Sequence, residues 1–264
     1  MTDAPILIRE DDGPIATLTM NAPKSLNALS EAMLDAMAES LDALADDTSI
    51  RVVILRGAGR AFCAGHDLRE MTEARQSEDG GQEYFQALFA KCSSVMMRLP
   101  KLPKPVIAQV HGIAAAAGCQ LVAHCDLAVA DEDARFGVNG VNIGLFCSTP
   151  MVALSRNMAR KHVFELLTTG SFLSAHRAAE LGLVNRVASE AELDAATREL
   201  AQTIAGKLGR AVAIGKRAFY DQLEMGLPDA YAYTSDVMAE NMLYEQTEEG
   251  IAAFLEKRDP RWSQ

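Results

Sequence analysis

One stretch of the sequence restricts the fold more than any other: an apolar segment that runs through small residues into a helical pattern. Residues 105–110 have the composition of a buried strand. Gly112 and four alanines follow, before a pattern that predicts a short buried helix through Leu121 and Val122. Small residues at such a junction allow a second backbone or a ligand to come close. The first N–H groups of a helix lack partners within the helix and lie at the positive end of its dipole, so this junction can hold a negatively charged oxygen. The alternative interpretation is that the small residues only permit close packing of the helix.

A second stretch of the same kind favours the ligand interpretation. Residues 51–55 form a predicted strand, and residues 56–68 follow as a small-residue turn and a helix start with Asp67 in its first turn. Two such turns, one from each strand, can direct two backbone N–H groups at one point. A thioester carbonyl that becomes an enolate requires that arrangement.

Length and charge exclude several classes of protein. A chain of 264 residues, 49% apolar and 23% charged, can bury one large core, alone or with a helical appendage. A net charge of −11 argues against a nucleic-acid partner, although a few lysines can still hold a nucleotide-bearing ligand. No apolar run reaches the length of a membrane span, and no signal peptide is read in the first residues. We therefore expect a cytoplasmic protein with no membrane partner.

The five cysteines indicate neither disulfides nor a metal site. None of them forms a C-x-x-C pair, and Cys119 and Cys125 do not have a zinc-ligand spacing. An odd number of cysteines in a chain that is not secreted favours reduced thiols. We expect small buried apolar residues, with Cys147 the one that merits closer inspection.

The order of elements in the first half predicts a layered α/β protein. Residues 6–9 and 15–20 form a predicted hairpin, and Ser30 caps an amphipathic helix. Residues 69–81 are polar and are predicted to form a mobile loop over a site. The strand–turn–helix unit recurs about three times before residue 146, which is typical of a coiled, layered core.

The second half is predicted to be mainly helical. Residues 134–150 are rich in glycine and apolar, and are predicted to line a pocket. A last strand over 183–187 precedes four helices, of which the last two carry apolar residues that are typical of subunit contacts. Those four helices are predicted at 189–208, 210–225, 229–241 and 245–256.

Three motifs resemble those of the crotonase (enoyl-CoA hydratase/isomerase) superfamily. They are Phe-Cys-Ala-Gly-His-Asp-Leu at 62–68, Gly112-x5-Gly118-Cys119, and the leucine-rich segment 173–184. The match covers essentially the whole chain, in order and with the family's spacings. The resemblance implies an α/β fold, a crotonase-type spiral of ββα units over residues 1–190 with a helical C-terminal trimerisation region over 191–264. It also implies a homotrimer or a dimer of trimers.

The resemblance further implies an acyl-CoA or enoyl-CoA thioester as ligand, with coenzyme A as part of the substrate and no tightly bound cofactor. The family's two oxyanion N–H groups correspond to the backbone of His66 and Ala117. Two residues from a neighbouring subunit, Phe254 and Lys257, are expected to complete the site for coenzyme A. The residues expected to contact coenzyme A from within the same subunit are Lys24, Leu26, Ala64, Asp67, Leu68 and Arg69.

The chain departs from the family at its two catalytic glutamates. Hydratases of the family place them at positions that correspond to Gln120 and Gly140 here. Glutamine has no titrating proton and glycine has no side chain, so neither can act as a general acid or base. Three replacements remain open: the imidazole of His66, the thiol of Cys147, and a bound bicarbonate. His66 can instead be a polar wall of the pocket, and Cys147 can instead be a buried packing residue.

The leading hypothesis is therefore an enoyl-CoA hydratase-like lyase that stabilises a thioester enolate but lacks both usual glutamates. Two alternatives stay open. One is an acyl-CoA-binding protein that is catalytically weak or inactive. The other is a different crotonase reaction, such as isomerisation, thioester hydrolysis or carbon–carbon bond cleavage.

Overall fold

The computed structural model describes residues 4–262. Met1 to Asp3, at the start of the segment in which no signal peptide is read, lie outside the described residues, as do Ser263 and Gln264. A six-stranded sheet forms the centre, with the strand order β1-β2-β3-β4-β6-β9. Only the β1–β2 pair is antiparallel, as the predicted hairpin requires, and the other pairs are parallel. Its strands are β1 (Leu7–Asp12), β2 (Ile15–Met20), β3 (Val52–Gly57), β4 (Val106–Val110), β6 (Leu127–Asp131) and β9 (Arg186–Ala188).

A second, smaller sheet lies beside the first and contains three short strands in the order β5-β7-β8. Its strands are β5 (Ile113–Ala115), β7 (Arg135–Gly137) and β8 (Phe172–Ser174). They are too short to show a periodic pattern, and the sequence did not predict them. The bounds of the helices are α1 (Glu31–Asp46), α2 (Leu68–Ala74), α3 (Gln82–Lys101), α4 (Ala117–His124), α5 (Pro150–Asn157), α6 (Arg160–Thr169), α7 (Ala175–Glu180), α8 (Leu193–Ala205), α9 (Gly209–Gln222), α10 (Leu227–Met242) and α11 (Glu245–Glu256).

Helix α1 shows how local sequence fixes an element. The Ser30 hydroxyl accepts a hydrogen bond from the backbone N–H of Met33, as predicted for the cap. The apolar residues at helical spacing all lie in the core. They are Met33, Leu34, Met37, Leu41 and Leu44.

The central sheet is covered on both faces. Helices α1, α3 and α4 contribute to the larger core cluster on one face. Helix α8 packs on the other face, where Leu193, Ala201 and Ala205 meet strand residues such as Ile54 and Ile107. The inner strands of a sheet covered on both faces are buried at every position, as β2 and β4 are. The predicted α/β class is confirmed. The division at residue 190 stays a prediction.

The mobile loop predicted over residues 69–81 is wrong in its first half, where α2 lies. Asp67 caps this helix by accepting from the backbone N–H of Arg69 at 2.8 Å. Met71 is the one residue of α2 that is buried. One apolar contact in seven residues gives no periodic signal, which is why the sequence alone indicated a loop.

A buried side-chain cluster, here called the Lys216 anchor, joins α9 to the edge where β4 begins. The Lys216 ammonium donates to the Asp126 carboxylate at 2.6 Å and to the carbonyl oxygens of Leu99 and Lys104. The Tyr220 hydroxyl donates to the other carboxylate oxygen at 2.9 Å. Asp126 also accepts from the backbone N–H of Val106 at 2.7 Å.

The last two helices leave large apolar side chains exposed. Helix α10 exposes Leu227, Tyr231, Met238 and Met242, and α11 exposes Phe254. Within residues 4–262, no helix is long and apolar enough to cross a membrane.

Candidate active site

The two predicted turns lie side by side. The segment 63–66 is hydrogen-bonded on one side to β5, through Cys63 N–H to the Ile113 carbonyl at 3.1 Å and Ala115 N–H to the Cys63 carbonyl at 2.9 Å. On its other side, Leu29 N–H donates to the Gly65 carbonyl at 2.7 Å. These bonds fix the start of α2 next to the start of α4. We call the two adjoining turns, Gly65 with His66 and residues 116–120, the junction.

Glycines allow the two backbones of the junction to approach. A Cβ at Gly65 would lie 3.1 Å from the Ala115 carbonyl oxygen and 3.4 Å from the backbone nitrogen of Ala117. Gly65 also has φ +98°, which favours glycine. A Cβ at Gly118 would overlap the Cys63 carbonyl oxygen and lie 2.9 Å from the Cys63 Cβ. The glycines of the two motifs are therefore needed for close approach.

Ala116 holds an unusual backbone conformation at the start of α4. Its angles are φ 48° and ψ −116°, a region that residues with a side chain seldom adopt. Ala116 N–H donates to the Gly137 carbonyl at 2.8 Å, and the Ala116 carbonyl accepts from Gln120 N–H at 3.0 Å. Strain of this kind persists where the surrounding structure imposes it, and it is concentrated at functional sites.

Two backbone N–H groups of the junction are available to a ligand. Among residues 4–262, neither the His66 N–H nor the Ala117 N–H donates to a protein acceptor. Ala117 is the first residue of α4, where the helix dipole favours negative charge. They are the two groups that the resemblance predicts as oxyanion donors, and that role stays a prediction.

Two polar side chains of the same turns are also unsatisfied. Gln120 is only 3% exposed, and its Oε1 has no hydrogen-bond partner within the described chain. Both ring nitrogens of His66 are buried without a partner. A buried polar group without a partner costs about 1–3 kcal/mol, so such groups call for an explanation.

The surroundings of His66 keep its ring neutral. Burial is the main cause that lowers the pKa of His66, and the nearby backbone of Leu29 opposes this shift at a geometry too poor for a hydrogen bond. The ring of Phe89, on α3, meets the imidazole edge to face at 5.5 Å between centroids. A neutral imidazole has one N–H donor and one acceptor nitrogen.

Gly140 and Cys147 lie against each other. A Cβ at Gly140 would be 2.9 Å from the Cys147 Sγ and would overlap the Leu145 carbonyl oxygen. The position therefore has no room for a side chain as the backbone stands. Burial raises the pKa of the Cys147 thiol, an effect that the backbone of Gly140 partly opposes. The thiolate needed for a nucleophile is disfavoured here.

Two further histidines have hydrogen-bond partners in the protein. The His111 ring bonds the Gly59 carbonyl at 2.8 Å, and the His124 ring bonds the Gln120 carbonyl at 3.1 Å. Each of these two rings therefore has a hydrogen-bonded nitrogen, whereas neither ring nitrogen of His66 has a partner.

The structure brings most of the residues expected to contact coenzyme A next to the junction. Ala64 N–H donates to the Leu26 carbonyl at 3.0 Å, which joins the loop that carries Lys24 to the first turn. Lys24 and Arg69 are exposed, and Leu68 is 52% exposed at the start of α2. These side chains are available to a ligand that enters beside the junction.

Phe254 and Lys257 lie elsewhere within the chain. Both are exposed, Phe254 to 82%. Helix α11 packs on α10. This placement is compatible with the expectation that these residues serve a neighbouring subunit, which stays a prediction.

Asn27 is a residue of the site that the sequence interpretation missed. It is fully buried with φ 54°, and its amide donates to the carbonyls of Ala58 and Ala61, both at 2.8 Å. Its Oδ1 accepts from Ala22 N–H at 2.9 Å. The amide thus fixes the 22–27 loop against the turn after β3. An asparagine beside a proline-broken loop was the available signal, because asparagine tolerates positive φ.

Comparison with known proteins places the chain in one family. A family model described as enoyl-CoA hydratase/isomerase matches residues 10–264. The chain is 45% identical over 259 residues to the human enoyl-CoA hydratase domain-containing protein 3, mitochondrial, covering 98% of this chain and 84% of the relative. It is 35% identical to the short-chain-enoyl-CoA hydratase of Clostridium acetobutylicum, covering 96% of this chain and 95% of the relative.

Solved structures of the same family share the fold. An enoyl-CoA hydratase from Mycobacterium smegmatis matches with a TM-score of 0.94 and 53% identity, over 98% of this chain and 99% of that chain. The human enoyl-CoA hydratase domain-containing protein 3 matches with a TM-score of 0.92 and 42% identity, over 97% of this chain and 100% of that chain. The crotonase fold expected from the motifs is confirmed.

The expectation of a cytoplasmic protein is wrong. The relatives from human, Xenopus laevis and mouse, at 42–45% identity, are named as mitochondrial proteins. The expectation rested on composition and apolar patterning, and neither property specifies the organelle in which a folded domain works. With a family model matched over residues 10–264 and the fold shared over nearly the full length of its relatives, the chain belongs to the enoyl-CoA hydratase/isomerase family, the crotonases.

Proposed function

We propose that the protein binds acyl-CoA and enoyl-CoA thioesters and stabilises a thioester enolate between the N–H groups of His66 and Ala117. The observation that carries the proposal is the junction, where two unsatisfied N–H groups belong to adjacent turns. Preorganised N–H donors of this kind contribute a large part of enolate stabilisation, because they need no reorganisation as charge develops. Coenzyme A enters as part of the substrate, and no separate cofactor is proposed.

We further propose that hydration of an enoyl thioester is slow. Gln120 is uncharged, and the space beside Gly140 is filled by the Leu145 carbonyl and the Cys147 thiol. The neutral His66 ring is the remaining group of the junction that can accept a proton, and its lowered pKa makes it a weak base. The protein is on this view an enoyl-CoA hydratase-like lyase without the usual pair of glutamates.

The exposed apolar side chains of α10 and α11 support a trimeric unit. Leu227, Tyr231, Phe254 and Leu255 are each at least 69% exposed, an unusual concentration for a surface that meets only water. In a homotrimer or a dimer of trimers these helices would be covered, and Phe254 and Lys257 would reach a neighbour's thioester site. Light scattering at micromolar concentration tests this, and a stable 28.5 kDa monomer would contradict it.

Binding and turnover measured side by side test the main proposal. Calorimetry should give heat with acetyl-CoA and butyryl-CoA and none with butyrate, because the free acid lacks the coenzyme. Hydration of crotonyl-CoA should be at least about a hundredfold slower than by a two-glutamate relative assayed in parallel, since one lost acid–base group costs about 10²–10⁴-fold.

The outcomes separate the hypotheses. No heat with any thioester would refute the proposal. Hydration as fast as in the two-glutamate relative would show that His66, Cys147 or a bound anion supplies the base. Binding without any turnover would favour the second candidate, an acyl-CoA-binding protein without catalysis, for which the absence of a carboxylate at positions 120 and 140 is the supporting observation.

A further inference from the structure

The junction combines an anion site with side chains that carry no charge. Its two free N–H groups suit an enolate oxygen, yet Gln120, His66 and Cys147 are all in uncharged forms. The carboxylates nearest in sequence have other partners: Asp67 caps α2, and Glu70 accepts from the backbone N–H of Glu31 at 3.0 Å. An enolate therefore has a place to form, but no carboxylate of the junction is free to create it by removing a proton.

An enolate can also form without a base when a carbon–carbon bond breaks. If C2 of the acyl group carries a carboxylate, loss of carbon dioxide leaves the bonding electron pair on C2, and the pair delocalises onto the thioester oxygen. That step needs the oxyanion donors and needs no proton acceptor. The reaction is the one that the groups of the junction support without an additional residue.

The unsatisfied side chains point to the same substrate. The buried Oε1 end of Gln120 and both ring nitrogens of His66 lack partners in the protein, and a ligand can supply them. Each residue belongs to one of the two turns: His66 follows Gly65 directly, and Gln120 lies one helical turn after Ala117. The Gln120 amide can turn end for end, so the buried end can be the NH2 donor. An imidazole N–H and an amide NH2 are donors that suit a carboxylate beside the thioester.

The two unsatisfied side chains, His66 and Gln120, offer neutral donors, which fits cleavage of the carboxylate better than tight binding of it. Neutral donors orient the carboxylate without the ion pair that would stabilise it. The Phe89 ring beside His66 and the buried residues of α4 make the surroundings of these donors largely apolar. A carboxylate that loses its charge as carbon dioxide gains from such an environment. A glutamate at position 120 would instead repel the substrate's carboxylate.

We propose that this site takes a 2-carboxyacyl-CoA thioester and decarboxylates it, with the carboxylate beside Gln120 and His66 and the thioester oxygen on the two N–H groups. This inference rests on the proposed function. The C2–carboxylate bond breaks, carbon dioxide leaves, and the enolate is held by the His66 and Ala117 N–H groups. C2 then takes one proton from water, which gives the acyl-CoA with one carbon fewer.

The experiment uses the full chain with malonyl-CoA, methylmalonyl-CoA and butyryl-CoA in D2O, read by mass spectrometry, with binding measured by calorimetry. Malonyl-CoA should give acetyl-CoA, methylmalonyl-CoA should give propionyl-CoA, and each turnover should place one solvent deuterium at C2. Butyryl-CoA should bind and stay unchanged. Decarboxylation should exceed hydration of crotonyl-CoA at equal concentration by at least about tenfold.

Gln120→Glu is the decisive variant because it changes charge and hardly changes volume. It should lower decarboxylation at least tenfold and raise hydration of crotonyl-CoA at least tenfold, so the two rates move in opposite directions. A misfolded variant would lose both activities. Gln202→Glu, on the exposed face of α8, is the matched control and should leave both rates unchanged.

Each result supports or overturns a separate statement. If butyryl-CoA binds and neither carboxylated thioester loses carbon dioxide above the rate without protein, the decarboxylation inference is wrong and the thioester-binding proposal stands. If no thioester binds, both are wrong. If Gln120→Glu moves both rates in the same direction while the protein remains folded by circular dichroism, the role assigned to Gln120 is wrong.

Discussion

The junction and the Lys216 anchor are both buried and polar, but they differ in whether their polar side chains have hydrogen-bond partners. In the anchor, the ammonium has three acceptors and the Asp126 carboxylate accepts from the ammonium, from the Tyr220 hydroxyl and from a backbone N–H. In the junction, the ring of His66 and the Oε1 of Gln120 have no partner. Groups that hold a fold together are satisfied within it, whereas groups kept for a ligand are not.

The two regions also differ in charge. Burial lowers the pKa of Lys216, but Asp126 opposes the shift through its charge and its hydrogen bond. His66 has no such partner, and burial lowers its pKa with only a backbone group in opposition. The anchor therefore contains a buried ion pair, whereas burial disfavours a positive charge on the His66 ring of the junction.

The largest expected change in the free energy of unfolding comes from removing the cation of the Lys216 anchor. Lys216→Met removes the cation and leaves the Asp126 carboxylate buried with two donors. Removing one partner of a buried pair typically costs about 3–5 kcal/mol, and we expect the lower end here because Tyr220 and Val106 still donate. Urea unfolding at fixed protein concentration measures the change. Lys161→Met, at an exposed lysine of α6, should change stability by less than about 0.5 kcal/mol. If the two substitutions changed the free energy of unfolding equally, the buried ion pair of the anchor would not stabilise the fold more than an exposed lysine does.

A smaller effect is expected at the close approach that builds the junction. In Gly118→Ala the added methyl group meets the Cys63 carbonyl, and overpacking of this kind costs about 1–3 kcal/mol. It should also weaken butyryl-CoA binding, because Ala117 would shift with the start of α4. Gly215→Ala is the matched control: its Cβ would meet nothing within 4 Å on α9, and it should be neutral or stabilising by up to about 1 kcal/mol. A Gly118→Ala protein with unchanged stability and binding would refute the packing argument for the junction.

The smallest effect concerns the neutral state of His66. The pKa of His66 is below 6.5 in the folded protein. As the pH falls through 6.5, the imidazole is therefore protonated in the unfolded chain before it is protonated in the folded protein. Stability is therefore lost on the acid side of pH 6.5, at up to about 1.4 kcal/mol per pH unit for one proton. His66→Asn should flatten the fall in unfolding free energy between pH 6.5 and pH 5.5. His124, whose pKa burial also lowers, keeps its own contribution.

The exposed His176, on α7, supplies the control for this pH series. His176→Asn should leave the pH profile as it is in the unmodified protein. If the His66→Asn variant and the unmodified protein have parallel profiles, burial does not keep the His66 ring neutral. The junction would then not differ from the anchor in charge.

Much of the fold could be predicted because its main strands and helices depend on local sequence patterns. The apolar run of β4 and the helical spacing from Met33 to Leu44 each carry their own signal, and Ser30 marks where α1 begins. The positions of the two turns followed from the same reasoning, because a strand that ends in glycine and alanine before a helix is a local feature as well. Local patterns indicated where α2 starts but not that it continues to Ala74, and they did not predict the three-residue strands, which pair with segments distant in the sequence.

The sequence by itself determined the α/β class, the order of the main elements, and the lack of carboxylates at Gln120 and Gly140. Only the tertiary structure decided how these residues are used. It placed Gly65 beside the start of α4, put Ala116 at φ 48°, left Gln120 and His66 without partners, and filled the space at Gly140 with the Leu145 carbonyl. The physical reason is that periodicity and capping depend on neighbours along the chain, whereas close approach and unsatisfied hydrogen bonds depend on segments that meet only after folding.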